Sequence, residues 1–137
     1  MSTDGPAEGA RPPATSGMRH VALFVKDLKE TADFYVNLLG MTVEWRPDDD
    51  NVYLTSGNDN LALHRADESP GAGALDHIGF FLDRPGDVDA WFAFLTGHGV
   101  QTFTEPRTHR DGARSFYCAA PSGNHVQMIF HTPLAPA

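Results

Sequence analysis

Two stretches of this chain, "RHVALFVKD" at 19–27 and "DHIGFFLDR" at 76–84, each place a histidine before an apolar run that ends in aspartate. The residues after each run are also alike: an amphipathic helix, then three short strands parted by turn residues. An internal repeat of this size constrains the fold more than any other feature, because one repeat offers too little apolar surface to bury itself alone. With 137 residues there is room for one core, so the halves must share it.

In the first half a strand is expected at 18–26, with His20, Ala22 and Phe24 alternating with Val21, Leu23 and Val25. Asp27 and Glu30 have the spacing of a capping box, and Leu28, Thr31, Phe34, Tyr35, Leu38 and Leu39 form a helical face that Gly40 ends. Strands near 41–46, 51–56 and 60–66 come next, with "RPDDDN" and "SGNDN" as turns. The second half repeats the order. It has a strand at 75–83, a helix opened by Pro85 and striped by Val88, Trp91, Phe92 and Leu95, and strands near 100–105, 114–119 and 125–131.

Residues 1–17 and 133–137, rich in Pro, Ala and small residues, read as loose tails. A single domain is expected over 18–132, made of a module at 18–66, a linker at 67–74 and a module at 75–132. Eighteen acidic against ten basic residues give a net charge of −8, which disfavours a phosphate backbone as partner. Cys118, the only cysteine, rules out an intrachain disulfide and reads as a small buried hydrophobe. With no apolar leader and no membrane-length run, a cytoplasmic protein with no membrane partner is expected.

Strand alternation sorts the side chains into two faces. Val21/Leu23/Val25, Leu61/Leu63, Ile78/Phe80/Leu82 and Val126/Met128/Phe130 belong on the helix side. His20/Ala22/Phe24, Asn60/Ala62/His64, His77/Gly79/Phe81 and His125/Gln127/Ile129/His131 then share the other face. His20 and His77 occupy equivalent points on it. Trp45 and Trp91 read as core, whereas Phe24 and Phe81 are placed to stack on a planar ligand.

The element order, with "DFYVNLLGM" after the first strand and "FYCAAPSGNHVQM" near the end, resembles the vicinal oxygen chelate superfamily over about 18–132. That superfamily includes glyoxalase I, type I extradiol dioxygenases, fosfomycin-resistance thiol transferases, methylmalonyl-CoA epimerases and bleomycin-resistance proteins. The resemblance implies an α+β fold in which two βαβββ modules form a curled mixed-sheet cup. It implies a homodimer as well, with the modules paired either within a chain or across the dimer.

Metal sites in the superfamily use the corners matching 20, 62, 77 and 127. This chain offers His20, Ala62, His77 and Gln127 there, so the resemblance implies a three-corner divalent site of His20, His77 and Gln127, for Fe, Mn, Ni or Zn. Gln127 departs from the carboxylate found in the fosfomycin and extradiol branches and brings no charge to the ion. His64 and His125 lie on the same wall and are candidates for a further ligand, and His64 for a base. By resemblance to the extradiol enzymes, His109 and Tyr117 are candidates for moving protons and binding an oxyanion, though Ala120 replaces the usual Asp before Pro121. Ala22 departs from the threonine of the fosfomycin branch, and the missing acid at 62 or 127 departs from glyoxalase I.

Two functions are compatible with this. In one, the protein is a metal-dependent enzyme, of lyase or extradiol-dioxygenase type, acting on a small oxygen-bearing substrate. In the other, it is a metal-free protein of the bleomycin-resistance type that sequesters a small compound in the aromatic cup.

Overall fold

A computed structural model of the chain describes residues 11–14, 16–68, 70, 73 and 75–132. Most of the tail expected at 1–17, all of 133–137 and part of the linker expected at 67–74 lie outside the described residues.

The first module runs β1 (His20–Val25), α1 (Leu28–Asp33), β2 (Thr42–Asp48), β3 (Asn51–Thr55) and β4 (Asn60–Arg65). The second runs β5 (Ile78–Leu82), α2 (Pro85–Gly97), β6 (Arg107–Thr108), β7 (Arg114–Ala119) and β8 (His125–Phe130). Each module forms a four-stranded mixed sheet, ordered β1-β4-β3-β2 in one and β5-β8-β7-β6 in the other. In both, the first strand runs parallel to the last and the remaining pairs are antiparallel. The fold is α+β, as the resemblance implied. The two sheets do not close on one another: β1 and β5 are each an edge strand.

Alternation sets the burial of β1, whereas three consecutive residues are buried in β4 and in β8. Leu23 and Val25 of β1, Leu61 and Leu63 of β4, and Val126 and Met128 of β8 lie in the core, while His20, Ala22 and Phe24 are exposed. One apolar cluster takes residues from both modules, each large side chain contributing roughly 1.5–3 kcal/mol of transfer free energy. Tyr35 carries the first helix into the second module, with its ring centre 6.2 Å from that of Phe80. The helix changes character there, continuing from α1 as a π-helical segment at Phe34–Leu38 whose closing bond runs from Leu39 N–H to the Phe34 carbonyl.

Four expectations need correction. Asp27 makes no side-chain capping bond, because its backbone lies outside the extended conformation that aims a cap; only its carbonyl joins the helix, accepting from Thr31 N–H. The strand expected at 100–105 is reduced to one bridge, Thr102 to Cys118. Past it the Thr104 hydroxyl takes the N–H of Tyr117, and Pro106 has no N–H to offer, so the chain leaves β7 until Arg107. Trp45 is not core: it is 60% exposed and stacked on Tyr53. Finally, His77 stands just before β5 rather than inside a strand.

Candidate metal centre

The face of each sheet away from the helices carries the chemistry. Ala22 pairs with Ala62 across β1 and β4, and Gly79 pairs with Gln127 across β5 and β8. Positions 62 and 127 are therefore equivalent in the two modules, as are His20 and His77, each two residues before its pair.

On the first sheet, His20 Nδ1 lies 2.7 Å from Asn60 Oδ1, and Asn60 Nδ2 donates to Glu44 Oε1 at 2.7 Å. Only the NH2 end of an amide can bond a carboxylate, so Glu44 fixes which way Asn60 faces. That presents an oxygen to His20, which puts the imidazole proton on Nδ1 and leaves the Nε2 lone pair free. Glu44 reaches Asn60 because β2 slips register between Val43 and Trp45. The extra residue lets Glu44 and Trp45 serve neighbouring partners.

The same arrangement recurs at the other end of that sheet. His64 Nδ1 lies 2.6 Å from Asn51 Oδ1, and Asn51 Nδ2 donates to Asp48 Oδ1 at 2.8 Å. The Asp50 N–H and the Asn51 amide together hold the Asp48 carboxyl below the usual range. His64 pairs with Phe24 and Asn60 with His20, so four residues of strand, roughly 13 Å, separate the two histidines. His64 instead keeps aromatic company, near Phe24 at 6.0 Å and Tyr53 at 5.9 Å.

On the second sheet, His77 Nδ1 lies 2.6 Å from Asp76 Oδ2, and its ring meets Tyr117 edge-on at 5.0 Å. Gln127 Nε2 donates to the Tyr117 hydroxyl at 3.1 Å, which leaves Gln127 Oε1 free and the phenolic proton available to another acceptor. Gln127 is almost fully buried. His109 Nε2 lies 3.1 Å from the Ser115 hydroxyl, two residues along β7 from Tyr117. His125 lies apart, stacked on Phe103.

The structure thus brings His77, Tyr117 and Gln127 together, sets His109 beside them and keeps His20 and His64 on the other sheet. Among the described residues no three His, Cys, Asp or Glu side chains converge on one point. The donor chemistry nevertheless fits a divalent ion. In His20, His77 and Gln127 the atom that would not ligate is held, while Nε2, Nε2 and Oε1 have no hydrogen-bond partner among the described residues. Sequence reading missed the roles of Asp76, Glu44, Asn60, Asp48 and Asn51. Asp76 adjoins His77 in the chain; the other four gave no signal beyond acids and amides in strands on the histidine face, which the β2 register shift hid.

A cleft of about 610 Å³ opens elsewhere, between the first helix at Asp33 and Asn37 and the second module at Gln101 and Pro121. None of the candidate ligands lines it. Cys118 is buried, and burial pushes its thiol up to about 11, which makes it inert as a nucleophile near neutrality. No described helix is long and apolar enough to cross a membrane.

A sequence model of the Glyoxalase/Bleomycin resistance protein/Dioxygenase superfamily matches residues 17–128. Among solved structures, a lactoylglutathione lyase from Agrobacterium tumefaciens superposes with a TM-score of 0.73 at 21% identity, over 88% of this chain and 98% of that one. A fosfomycin resistance protein from Listeria monocytogenes gives 0.72 at 19% identity, over 86% and 95%. An integron cassette protein from the metagenome of a Halifax Harbour sewage outfall gives 0.73 at 22% identity, over 85% and 100%. Such identities fix the fold and leave the activity to the site.

Proposed function

The chain belongs to the Glyoxalase/Bleomycin resistance protein/Dioxygenase superfamily, and from that premise we propose that it is a divalent-metal-dependent enzyme acting on a small oxygen-bearing substrate. His20, His77 and Gln127 hold the ion in this reading. The observation that carries it is their shared preparation, with one polar atom of each side chain tied and the ligating atom free. These residues would hold a divalent ion, which when bound would supply Lewis-acid polarisation of vicinal oxygens of the substrate.

The chain's own residues supply the rest. Tyr117 accepts from Gln127, so its proton is free to meet an oxygen where negative charge develops. His109 stands on the same side of β7 to carry a proton, its ring steadied by Ser115. The half-sites lie on two sheets whose first strands are free edges, so we assign their closure to a homodimer in which β1 of one copy meets β5 of the other. The exposure of Phe24 and Phe81 on those strands, 62% and 51%, supports this pairing.

The test is metal analysis of protein carrying no histidine tag, followed by titration with Mn, Fe, Ni and Zn. Stoichiometric binding that disappears in His77→Ala is the expected result. No binding above the His77→Ala background overturns the enzyme reading. A metal-free binding protein is the second reading, and one observation favours it: the exposed Trp45, stacked on Tyr53 on the histidine face, offers a platform for a flat ligand.

A further inference from the structure

The proposed ligand set is short of charge, since two neutral imidazoles and an amide bring none to a divalent ion. The structure holds carboxylates one step behind. Glu44 stands behind His20 with Asn60 between them, each contact 2.7 Å. Asp76 stands behind His77 directly, at 2.6 Å. The two modules reach the same arrangement by different parts, one through an amide inside the sheet and one through the preceding residue.

We propose that Glu44 and Asn60 are positioning residues for His20, and Asp76 for His77: they lock the Nδ1–H tautomer, aim the Nε2 lone pair outward and set a negative charge behind each ring. The locking of tautomers belongs to the folded chain itself. The charge acts on the ion and rests on the ligation proposed above. A carboxylate behind a ligating imidazole raises its basicity, and losing such a partner typically costs about ten- to a hundredfold in metal affinity. Two such carboxylates offset what Gln127 omits.

The substitutions separate geometry from charge. Glu44→Gln and Asp76→Asn remove the charge and keep an oxygen that can accept, but a neutral amide can also turn its NH2 to the partner, so the tautomer in each is read together with its zinc affinity. Asn60→Ala and Asp76→Ala lose both. Glu44→Leu frees the Asn60 amide to turn over, at an exposed position where folding is not at stake.

The experiment reads imidazole tautomers in metal-free, ¹⁵N-labelled protein at pH 8 by long-range proton–nitrogen correlation, then zinc affinity by calorimetry. In the wild type, His20 and His77 are expected as Nδ1–H. Asn60→Ala and Glu44→Leu shift His20 alone towards Nε2–H, with His64 and His77 as internal controls of folding; Asp76→Ala shifts His77 alone. Glu44→Gln and Asp76→Asn each weaken zinc binding about ten- to a hundredfold, and the Nδ1–H fraction that remains in each shows how much of that loss is charge alone. A His20 tautomer that is indifferent to both Asn60→Ala and Glu44→Leu overturns the proposal. Undiminished zinc affinity in Glu44→Gln/Asp76→Asn overturns the role of the charge. If the wild type takes none of Mn, Fe, Ni and Zn while the tautomers respond as stated, it is the metal reading that fails and the positioning that stands.

Discussion

The two modules share a strand order and a register, yet they hold their histidines differently. In the first, His20 and His64 are each braced by an asparagine that a carboxylate orients, all within one sheet. In the second, His77 is braced by Asp76, which is exposed, while Tyr117 and Gln127 bond each other beside it. The repeat preserves where a side chain stands, and each module finds its own means of aiming it. The first module devotes its polar residues to orientation. The second gathers groups able to meet a substrate.

The sharpest break in that comparison is a set of three alanine variants. His20→Ala and His77→Ala are expected to weaken zinc binding at least about a hundredfold each, in line with the loss of an outright ligand. His64→Ala, roughly 13 Å along the strand from His20, is expected to change it by less than about threefold. Calorimetry on the three proteins decides. Equal losses in His20→Ala and His64→Ala would mean that the two braced histidines of the first module serve one ion after all.

At the seam between the modules the contrast disappears, because Tyr35 from the first and Cys118 from the second lie in one core. Burial raises the Cys118 thiol from 9.0 to about 11, and it raises the Tyr35 phenol as well. An acid whose folded pKa is raised contributes stability below its unfolded pKa and loses it as pH climbs through the folded value. Thermal stability should therefore fall between pH 9 and 11, with Cys118 responsible for roughly 2–3 kcal/mol at most. Melting curves of Cys118→Ala should show a flatter slope over that window, whatever their absolute midpoints. Tyr35→Phe is the smaller test. The Tyr35 hydroxyl is buried with no partner among the described residues, so its removal should stabilise the fold by about 1 kcal/mol in urea unfolding. A loss of stability would show that the hydroxyl is satisfied.

Much of this was legible in the residues. Alternation placed His20, Gly79, Phe81 and Gln127 on the histidine face, because period two leaves a strand little choice. The resemblance put 62 and 127 at matching corners, and the register of both parallel pairs agrees with it. What stayed hidden depends on contacts between strands far apart in sequence. A register slip in β2 lets Glu44 reach Asn60, and no local pattern marks it. The same strand carries Trp45 onto the exposed face, where composition alone put a tryptophan in the core. Beyond the bridge at Thr102, β7 loses its neighbour because Thr104 answers Tyr117 with a side chain, a choice that hydrophobic periodicity does not record. Asp76 was the most accessible of the missed residues, standing next to His77 in the sequence.

The finest difference between the two kinds of bracing lies at Asp48, and it can be read by titration. The Asp50 N–H and then the Asn51 amide lower the Asp48 carboxyl below 3.8, each by bonding its charged form. Asn51→Ala removes the second of these bonds and leaves the first, so the carboxyl should move part of the way back and no further. The sign is the ordinary one for a depressed acid: Asp48 contributes stability above its unfolded pKa, and that contribution is lost as pH falls through the folded value. Carbon-detected NMR of the side-chain carboxyl between pH 2 and 6 measures both values directly. If Asn51→Ala leaves the Asp48 titration unmoved, the amide is not held by that carboxylate, and nothing then fixes the orientation of His64. If it moves while His64 keeps its Nδ1–H tautomer in Glu44→Leu, the two braces of the first module work independently. Independence is what two sites four residues apart on one rigid strand should show.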